Sequence, residues 1–402
     1  MSKKNDDFFK EKKPWSEVKD ELLGCYLKPY VSKILHTYKP IVYVDCFAGK
    51  GLFDDGKPGS PVIALDIIKE CLSTTNAEEA RIGATFIDLN YAEELKENLK
   101  DYSNVTVISG KYEDTIENLL KDKNSCNVFL YIDPYGIKAL QCSMFDSFAK
   151  SNFNSIELLI NMNSFGFIRE ACNAMGTKLA LDDPSIFEDL IEYDPTEMNT
   201  SDKSINNLNE IAGGDYWQSI ISDYKARKID GYQAEERFAE QYSQRLKDSY
   251  AYVLNMPLRI RRGQRPKYRM IHATNHPDGC LLMVDNIYNR WEAWQNVQRR
   301  GQISFFDEDP NNRIVDKEDI KNKAIDHFSQ YNSRTSLNES LAAYFMKYGP
   351  ICKTKDIKDI LRLLENDGKL LILRAPSTTE KGRPTRFMEE NSKHKVSIMW
   401  IQ

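Results

Sequence analysis

The stretch IVYVDCFAG (residues 41–49) decides the fold. Ile41 to Val44 is a β-branched and aromatic run, too continuously apolar for a half-exposed strand, and it ends on Asp45 before a turn rich in small residues. Working outward, the same reading applies to ATFIDLN (84–90), VTVISG (105–110), NVFLYIDPYG (127–136) and IELLINM (156–162). Helical segments such as PVIALDIIKECL (61–72) and AEELKENLKDY (92–102) lie between them. Short buried strands alternating with helices form βαβ units, and therefore a parallel sheet.

Upstream, EVKDELLGCYLKPYVSKIL (17–35) follows helical spacing, and Ser16 is expected as its N-cap. Downstream, residues from about 163 to 250 read as a mostly helical insertion, too long for one crossover helix. Seven acids and no Lys or Arg between Asp182 and Glu197 read there as a solvated acidic face. AYVLNMPLRI (251–260) and KYRMIHAT (267–274) are joined by RRGQRP and form an antiparallel hairpin. The expected organisation is an amino-terminal arm and helix (1–40), a sheet domain (41–300), a linker (301–315) and a further unit (316–402). That last unit reads as helices around 337–347 and 354–367, then two short strands around a basic loop.

The chain has 402 residues, enough for two or three domains, and a formal net charge of −5. Its hydrophobic content of 41% excludes disorder throughout. No apolar run approaches the roughly 18 residues that span a bilayer, so no membrane association is expected. MSKKNDDFFKEKKPW has no apolar core segment, so no secretory signal is expected either. The eight cysteines form no C-x-x-C motif and read as buried, reduced thiols of a cytoplasmic protein. His272 and His276 are four apart on a strand and its exit, which is not zinc-site spacing, and no metal site is expected.

Five β/α units followed by a β-hairpin is the arrangement of a class I methyltransferase fold: a Rossmann-like, mostly parallel seven-stranded sheet with an antiparallel last strand. In such sheets ligands sit at the carboxyl ends of the strands. After the first strand, Gly49 and Gly51 let the backbone turn tightly and approach an adenosyl or methionine group, though an NAD site has a similar turn. The next helix is expected from Ser60 as N-cap with Pro61 in its first turn. After the second strand, Asp88 can accept both hydroxyls of a ribose. After the third, Lys111 stands where methyltransferases often place an acid for the adenine amino group, and Tyr112 follows it. The candidate residues for S-adenosylmethionine are Lys19, Asp45, Phe47, Gly49, Gly51, Ser60, Asp88 and Tyr112.

Asp133-Pro134-Tyr135-Gly136 after the fourth strand is the most specific signal. An exocyclic amine on a base is a poor nucleophile because its lone pair is delocalised into the ring. A carboxylate and a backbone carbonyl that accept its two hydrogens return density to nitrogen, and an aromatic face holds the base. Asp133, the Pro134 carbonyl and Tyr135 are therefore the candidate catalytic residues. A base within a duplex would first have to be flipped out of the stack.

These motifs resemble the three-Cys-motif partner (TcmP) family. The resemblance rests on D-C-F-A-G-K-G with G-S-P, the acid after the second strand, D-P-Y-G, Trp15-Ser16-x-x-Lys19, the Gly213–Trp217 segment and His272–Gly279 followed by Met283. The carboxy-terminal unit is similar to the winged helix attached to many members. The family takes its name from gene neighbourhood with proteins carrying a three-cysteine motif, so the resemblance implies such a protein as partner. It also implies a base methyltransferase. D-P-Y-G is closer to the D-P-F-G of guanine-N2 enzymes, whereas adenine-N6 enzymes carry two prolines, so adenine N6 and guanine N2 both stay open. Lys111 and the single proline support an alternative: a non-catalytic nucleic-acid-binding partner subunit with a degenerate methyltransferase domain.

Basic residues point to nucleic acid, DNA or RNA, by a separate route. Arg259, Arg261, Arg262, Arg265, Lys267 and Arg269 fall within eleven residues of the hairpin. If its first strand is parallel to the sheet, they share a rim with Asp133 and could hold phosphates there. From Asp316 on, 16 Lys or Arg face 12 Asp or Glu, and Lys381, Arg383 and Arg386 mark a wing suited to nucleic acid. The sequence leaves the oligomeric state open.

Overall fold

Continuous apolar strands need cover on both faces, and the arm, the crossover helices and the insertion supply it. The computed structural model describes residues 6–75, 81–183, 186, 201–258, 266–299, 316–391 and 393–401. The chain forms two units, 1–275 and 276–402.

The first unit begins with a single turn, α1 (Asp6–Phe9), and the long helix α2 (Pro14–Ile34). Then come β1 (Ile41–Asp45), α3 (Ser60–Thr75), β2 (Ile82–Asp88), α4 (Ala92–Asn98), β3 (Val105–Ser109), α5 (Tyr112–Leu120), β4 (Asn127–Ile132), α6 (Cys142–Lys150) and β5 (Ser155–Met162). The insertion contributes α7 (Ser164–Ala174), α8 (Ser201–Ala212), α9 (Tyr216–Lys225) and α10 (Gly231–Leu246), before β6 (Tyr252–Leu258) and β7 (Tyr268–Thr274). The strands assemble in the order β3-β2-β1-β4-β5-β7-β6. β1 to β5 are parallel, while β7 runs antiparallel to both β5 and β6, so β6 is parallel to the rest. This is a Rossmann-like sheet with the strand order and directions of the class I methyltransferase fold.

Central β4 is buried at all six positions, and its two-residue period divides them between the sheet faces. Val128, Leu130 and Ile132 join a large core with residues of α5 to α10, among them Trp217, Phe238 and Tyr242. On the opposite face Phe129 stacks with Tyr26 of α2 and Tyr43 of β1. The buried Tyr26 hydroxyl donates to Glu157 of β5 and lies 3.0 Å from Nε2 of His272 on β7. That polar triad pins α2 across three elements and gives His272 a structural place.

Three local expectations change. α2 starts at Pro14, so Ser16 is a buried residue of the first turn and not the N-cap; proline's fixed φ suits that position. Ser60 opens α3, and its hydroxyl donates to Asp45 Oδ2 at 2.6 Å. The cysteines are all free thiols, but Cys25 is exposed and Cys126 half-buried, and the other six are buried.

The second unit contains α11 (Pro277–Arg299), α12 (Lys317–Phe328), β8 (Thr335–Ser336), α13 (Leu337–Tyr348), α14 (Thr354–Asn366), β9 (Leu370–Ala375) and β10 (Lys395–Trp400). Its sheet runs β8-β10-β9. From α12 on, the elements run helix–strand–helix–helix–strand–loop–strand. The unit boundary falls after Asn275, not near 300 as the sequence reading placed it, because α11 is tied to this unit. Asp285 of α11 accepts the Thr354 N–H at 2.8 Å and hydroxyl at 2.7 Å, and Asn338 donates to Asp278 at 2.6 Å. The expected linker, 301–315, lies outside the described residues, as does most of the acidic stretch 182–197. Among the described residues no helix is long and apolar enough to cross a membrane.

Candidate active site

A cavity of about 270 Å³ opens at the carboxyl ends of β1, β4 and β5. That is where open α/β sheets bind ligands. Its wall brings together Phe47, Gly49, Gly51 and Ser60 from the first turn, Asp133, Pro134 and Tyr135 from the β4 exit, and Lys19 from α2. Residues the sequence reading missed complete it: Phe8, Phe9, Lys13, Ser16 and Asp20 from the arm and α2, Phe53 from the first loop, Asn161 and Asn163 from β5 and its exit, and Tyr268 from β7.

The glycine turn has a physical requirement. Gly49 and Gly51 have φ of +62° and +78°, where a side chain is strained. Behind the turn Asp45 is fully buried, and it accepts the Ser60 hydroxyl and, at 3.2 Å, the Phe47 N–H. Burial pushes its carboxyl up to about 7 against those two hydrogen bonds. Asp45 therefore shapes the turn from behind and does not line the cavity.

Three other expected cofactor contacts are also placed differently. Asp88 accepts the N–H groups of Gly49 (2.9 Å), Asn90 (2.8 Å) and Tyr91 (2.8 Å). Its carboxylate locks the β1 turn to the β2 exit instead of facing the cavity. Tyr112 is buried with its ring 5.4 Å from Phe47, so it supports the wall from the core. Lys19 does line the cavity, but its ammonium lies 2.9 and 2.7 Å from the two oxygens of Asp133, so it sits at the candidate catalytic carboxylate. Asn161 donates to the same carboxylate at 2.6 Å. Next to Lys19 on α2, Asp20 is pushed up to about 6 by burial, even though Lys12 pairs with it at 2.6 Å.

The arm covers this site. Phe9 is 4% exposed, and its ring packs 4.8 Å from Tyr91 and 5.7 Å from Phe53. A Cβ built on Gly49 would lie 2.9 Å from the Phe9 ring, so that ring rests directly on the glycine turn. Phe8 meets Tyr135 edge-on at 6.1 Å. Backbone and side-chain bonds hold the arm down: Asp54 N–H donates to the Phe9 carbonyl at 2.8 Å, and Lys12 Nζ to the Pro58 carbonyl at 2.7 Å. The cavity consequently falls just under the roughly 300 Å³ at which small-molecule sites begin.

Of the basic hairpin, Arg259, Arg261, Arg262 and Arg265 lie outside the described residues. The two described cations face inward. Lys267 is 3% exposed, with its ammonium 5.8 Å from the Trp15 and Tyr268 rings. Arg269 is buried and forked onto Glu235 at 2.6 and 2.8 Å. Neither is a free phosphate ligand. In the second unit Lys381, Arg383 and Arg386 are exposed on the β9–β10 loop, which a bridge between Thr378 and Pro384 closes. Among the described residues no group of three or more His, Cys, Asp or Glu could hold a metal ion.

No family model matches this sequence, and no curated protein matches it. Solved structures similar to it include the putative methyltransferase yhhF from Escherichia coli, at 18% identity over 38% of this chain and 72% of that one, with a TM-score of 0.24. Another is the CurJ carbon methyltransferase, at 9% identity over 59% of this chain and 49% of that one, with a TM-score of 0.27. Overlaps this partial say nothing of what the chain does; the sheet order and the cavity are its own.

Proposed function

We propose that this chain is an S-adenosylmethionine-dependent methyltransferase acting on an exocyclic amine of a nucleic-acid base, adenine N6 or guanine N2. The observation that carries the reading is one cavity shared by the left-handed glycine turn of β1 and by Asp133, Pro134 and Tyr135 at the end of β4. Phe47, Gly49, Gly51 and Ser60 would hold the cofactor, which supplies an electrophilic methyl group when bound. Asp133 and the Pro134 carbonyl orient the amine and raise its electron density, and Tyr135 offers a face to the base. Asp133 Oδ2 is also the candidate acceptor for the proton that the amine must lose.

Calorimetry with S-adenosylmethionine tests this reading, and the arm sharpens it. If Phe9 holds the glycine turn closed, apparent affinity is reduced by the fraction of molecules that are open. The double variant Phe8→Ala, Phe9→Ala should then bind the cofactor at least about tenfold more tightly than the wild type. Weaker binding by the variant would make the two rings part of the cofactor site. No binding by either protein at millimolar concentration would sink the enzymatic reading. The second reading would then stand: a non-catalytic, nucleic-acid-binding partner of a three-cysteine-motif protein. The filled turn and the Lys19–Asp133 pair favour it specifically.

The wing supports nucleic acid as the macromolecular substrate, DNA or RNA. α14 is not strongly basic, since Arg362 pairs with Asp359 at 2.6 Å, so the exposed wing cations carry the argument. Each phosphate neutralised contributes about −0.9 to the slope of log K against log salt on duplex DNA, or about −0.7 on single strands. Replacing Lys381, Arg383 and Arg386 with Ser should make that slope shallower by about two to three units and weaken binding uniformly across sequences. An unchanged slope would remove the wing from the interface.

A further inference from the structure

The Lys19–Asp133 pair has a hydrogen-bonding pattern of its own, and it bears on which base the proposed site reads. An ammonium carries three protons, and an ionised carboxylate offers about four lone-pair positions. The Lys19 ammonium lies 2.9 Å from Oδ1 and 2.7 Å from Oδ2 of Asp133 and donates across both oxygens. Asn161 gives a third bond, at 2.6 Å, to Oδ1. At least one ammonium proton and one lone pair on Oδ2 are left over, on two neighbouring side chains that both line the cavity. The Lys19 and Asp133 side chains are only 12% and 22% exposed, so a ligand group that failed to match them would leave a partly desolvated charge unsatisfied. The frame is fixed by neighbours: Lys19 Nζ also stands 5.2 Å from the Tyr268 ring, and Asn161 is buried at the end of β5.

A free acceptor beside a free donor is the complement of an amine beside an unprotonated ring nitrogen. Adenine presents that edge as N6–H and N1, and cytosine as N4–H and N3. Guanine does not. Its N2 amine is flanked on the open side by N1–H, a second donor that would face the ammonium, and on the other by N3, which lies against the sugar. The geometry points to Lys19 as the specificity-determining residue of this site, donating to the ring nitrogen of adenine or cytosine while Asp133 accepts from the adjacent amine. This removes guanine N2 from the proposed substrate class, admits cytosine N4 beside adenine N6, and rests on the reading of Asp133 as the amine acceptor. It does not depend on whether methyl transfer follows.

The test is equilibrium binding of single-stranded thymine 11-mers with one central adenine, cytosine, guanine or 1-deazaadenine. The last keeps the amine and lacks the N1 lone pair. A charge-assisted hydrogen bond is worth about 1.5–3 kcal/mol, or roughly tenfold to a hundredfold. The wild type should favour adenine and cytosine over both guanine and 1-deazaadenine by at least about tenfold. Lys19→Met should bind adenine and 1-deazaadenine equally, whereas Lys19→Arg should keep part of the discrimination. Equal binding of all four strands by the wild type, preference for guanine, or no binding of any strand would each overturn the proposal. The comparison of adenine with 1-deazaadenine in the wild type stands even if Lys19→Met fails to fold. Failure of the methyltransferase reading is seen separately, as absence of cofactor binding in calorimetry.

Discussion

Asp133→Ala should abolish methyl transfer, by at least about a hundredfold, while cofactor affinity stays within about threefold of the wild type. The two outcomes separate because Asp133 and the glycine turn occupy different parts of one cavity wall. The loss expected on removing a positioned acceptor of a reacting proton is about 10²–10⁴-fold. A confounding effect is built into the site: without the carboxylate, the Lys19 ammonium and the Asn161 amide lose the partner that now holds them at 2.7 and 2.6 Å. Asp133→Asn is therefore the second variant, since it keeps the volume and one acceptor oxygen but removes the charge. Both variants are measured for methyl incorporation into the preferred strand and for cofactor binding by calorimetry. Retention of more than a tenth of the activity by Asp133→Ala would exclude Asp133 from the chemistry, whereas retention by Asp133→Asn alone would show that an acceptor oxygen suffices without the charge.

The sheet was legible because its signal is local. Uninterrupted apolar runs over Ile41–Val44 and Val128–Ile132, each ending in an acid and a turn, already imply strands buried on both faces. The two ends of the cavity that belong to the sheet, Gly49–Gly51 and Asp133–Tyr135, were legible for the same reason. Its remaining wall was not. Phe8, Phe9 and Asp20 come from the arm and α2; Lys19 reads as a cofactor contact, but its partner Asp133 lies 114 positions away. No spacing rule links residues that far apart.

Other misplacements arose where one pattern serves two physical ends. An acid after β2 looks the same whether it accepts ribose hydroxyls or, as Asp88 does, three backbone N–H groups. Clustered cations look like one surface patch until the strand period is applied. Arg269 and Ile271 stand two apart on one face of β7, and Ile271 is core, whereas Lys267 precedes the strand and its ammonium lies near Trp15 of α2. That parity was available in the sequence and would have turned Arg269 inward.

The inward-facing Arg269 carries the largest stability effect expected in the chain. Its guanidinium and the Glu235 carboxylate are 9% and 2% exposed, and Glu235 also accepts the Ser164 hydroxyl. Three elements therefore meet on one carboxylate: α10 through Glu235, β7 through Arg269 and α7 through Ser164. Truncating one partner of a buried pair leaves the other charge without compensation and costs about 3–5 kcal/mol. Glu235→Ala should accordingly lower the thermal unfolding midpoint of the first unit by about 6–20 °C, taking roughly 2–4 °C per kcal/mol for a domain of that size. Glu235→Gln keeps an acceptor for Ser164 and should fall between the two. The double variant Glu235→Met, Arg269→Met removes both charges at once and should be less damaged than Glu235→Ala, because no buried charge is left alone. Circular dichroism melts of the four proteins decide the matter; a Glu235→Ala midpoint within about 2 °C of the wild type would show that the pair contributes nothing net. The same melts bear on the cavity. Arg269 sits next to Tyr268, and Ser164 next to Asn163, both of which line it. An uncompensated Arg269 charge should loosen that wall, so cofactor and base binding should weaken in Glu235→Ala at temperatures well below its midpoint, and should recover in the double variant.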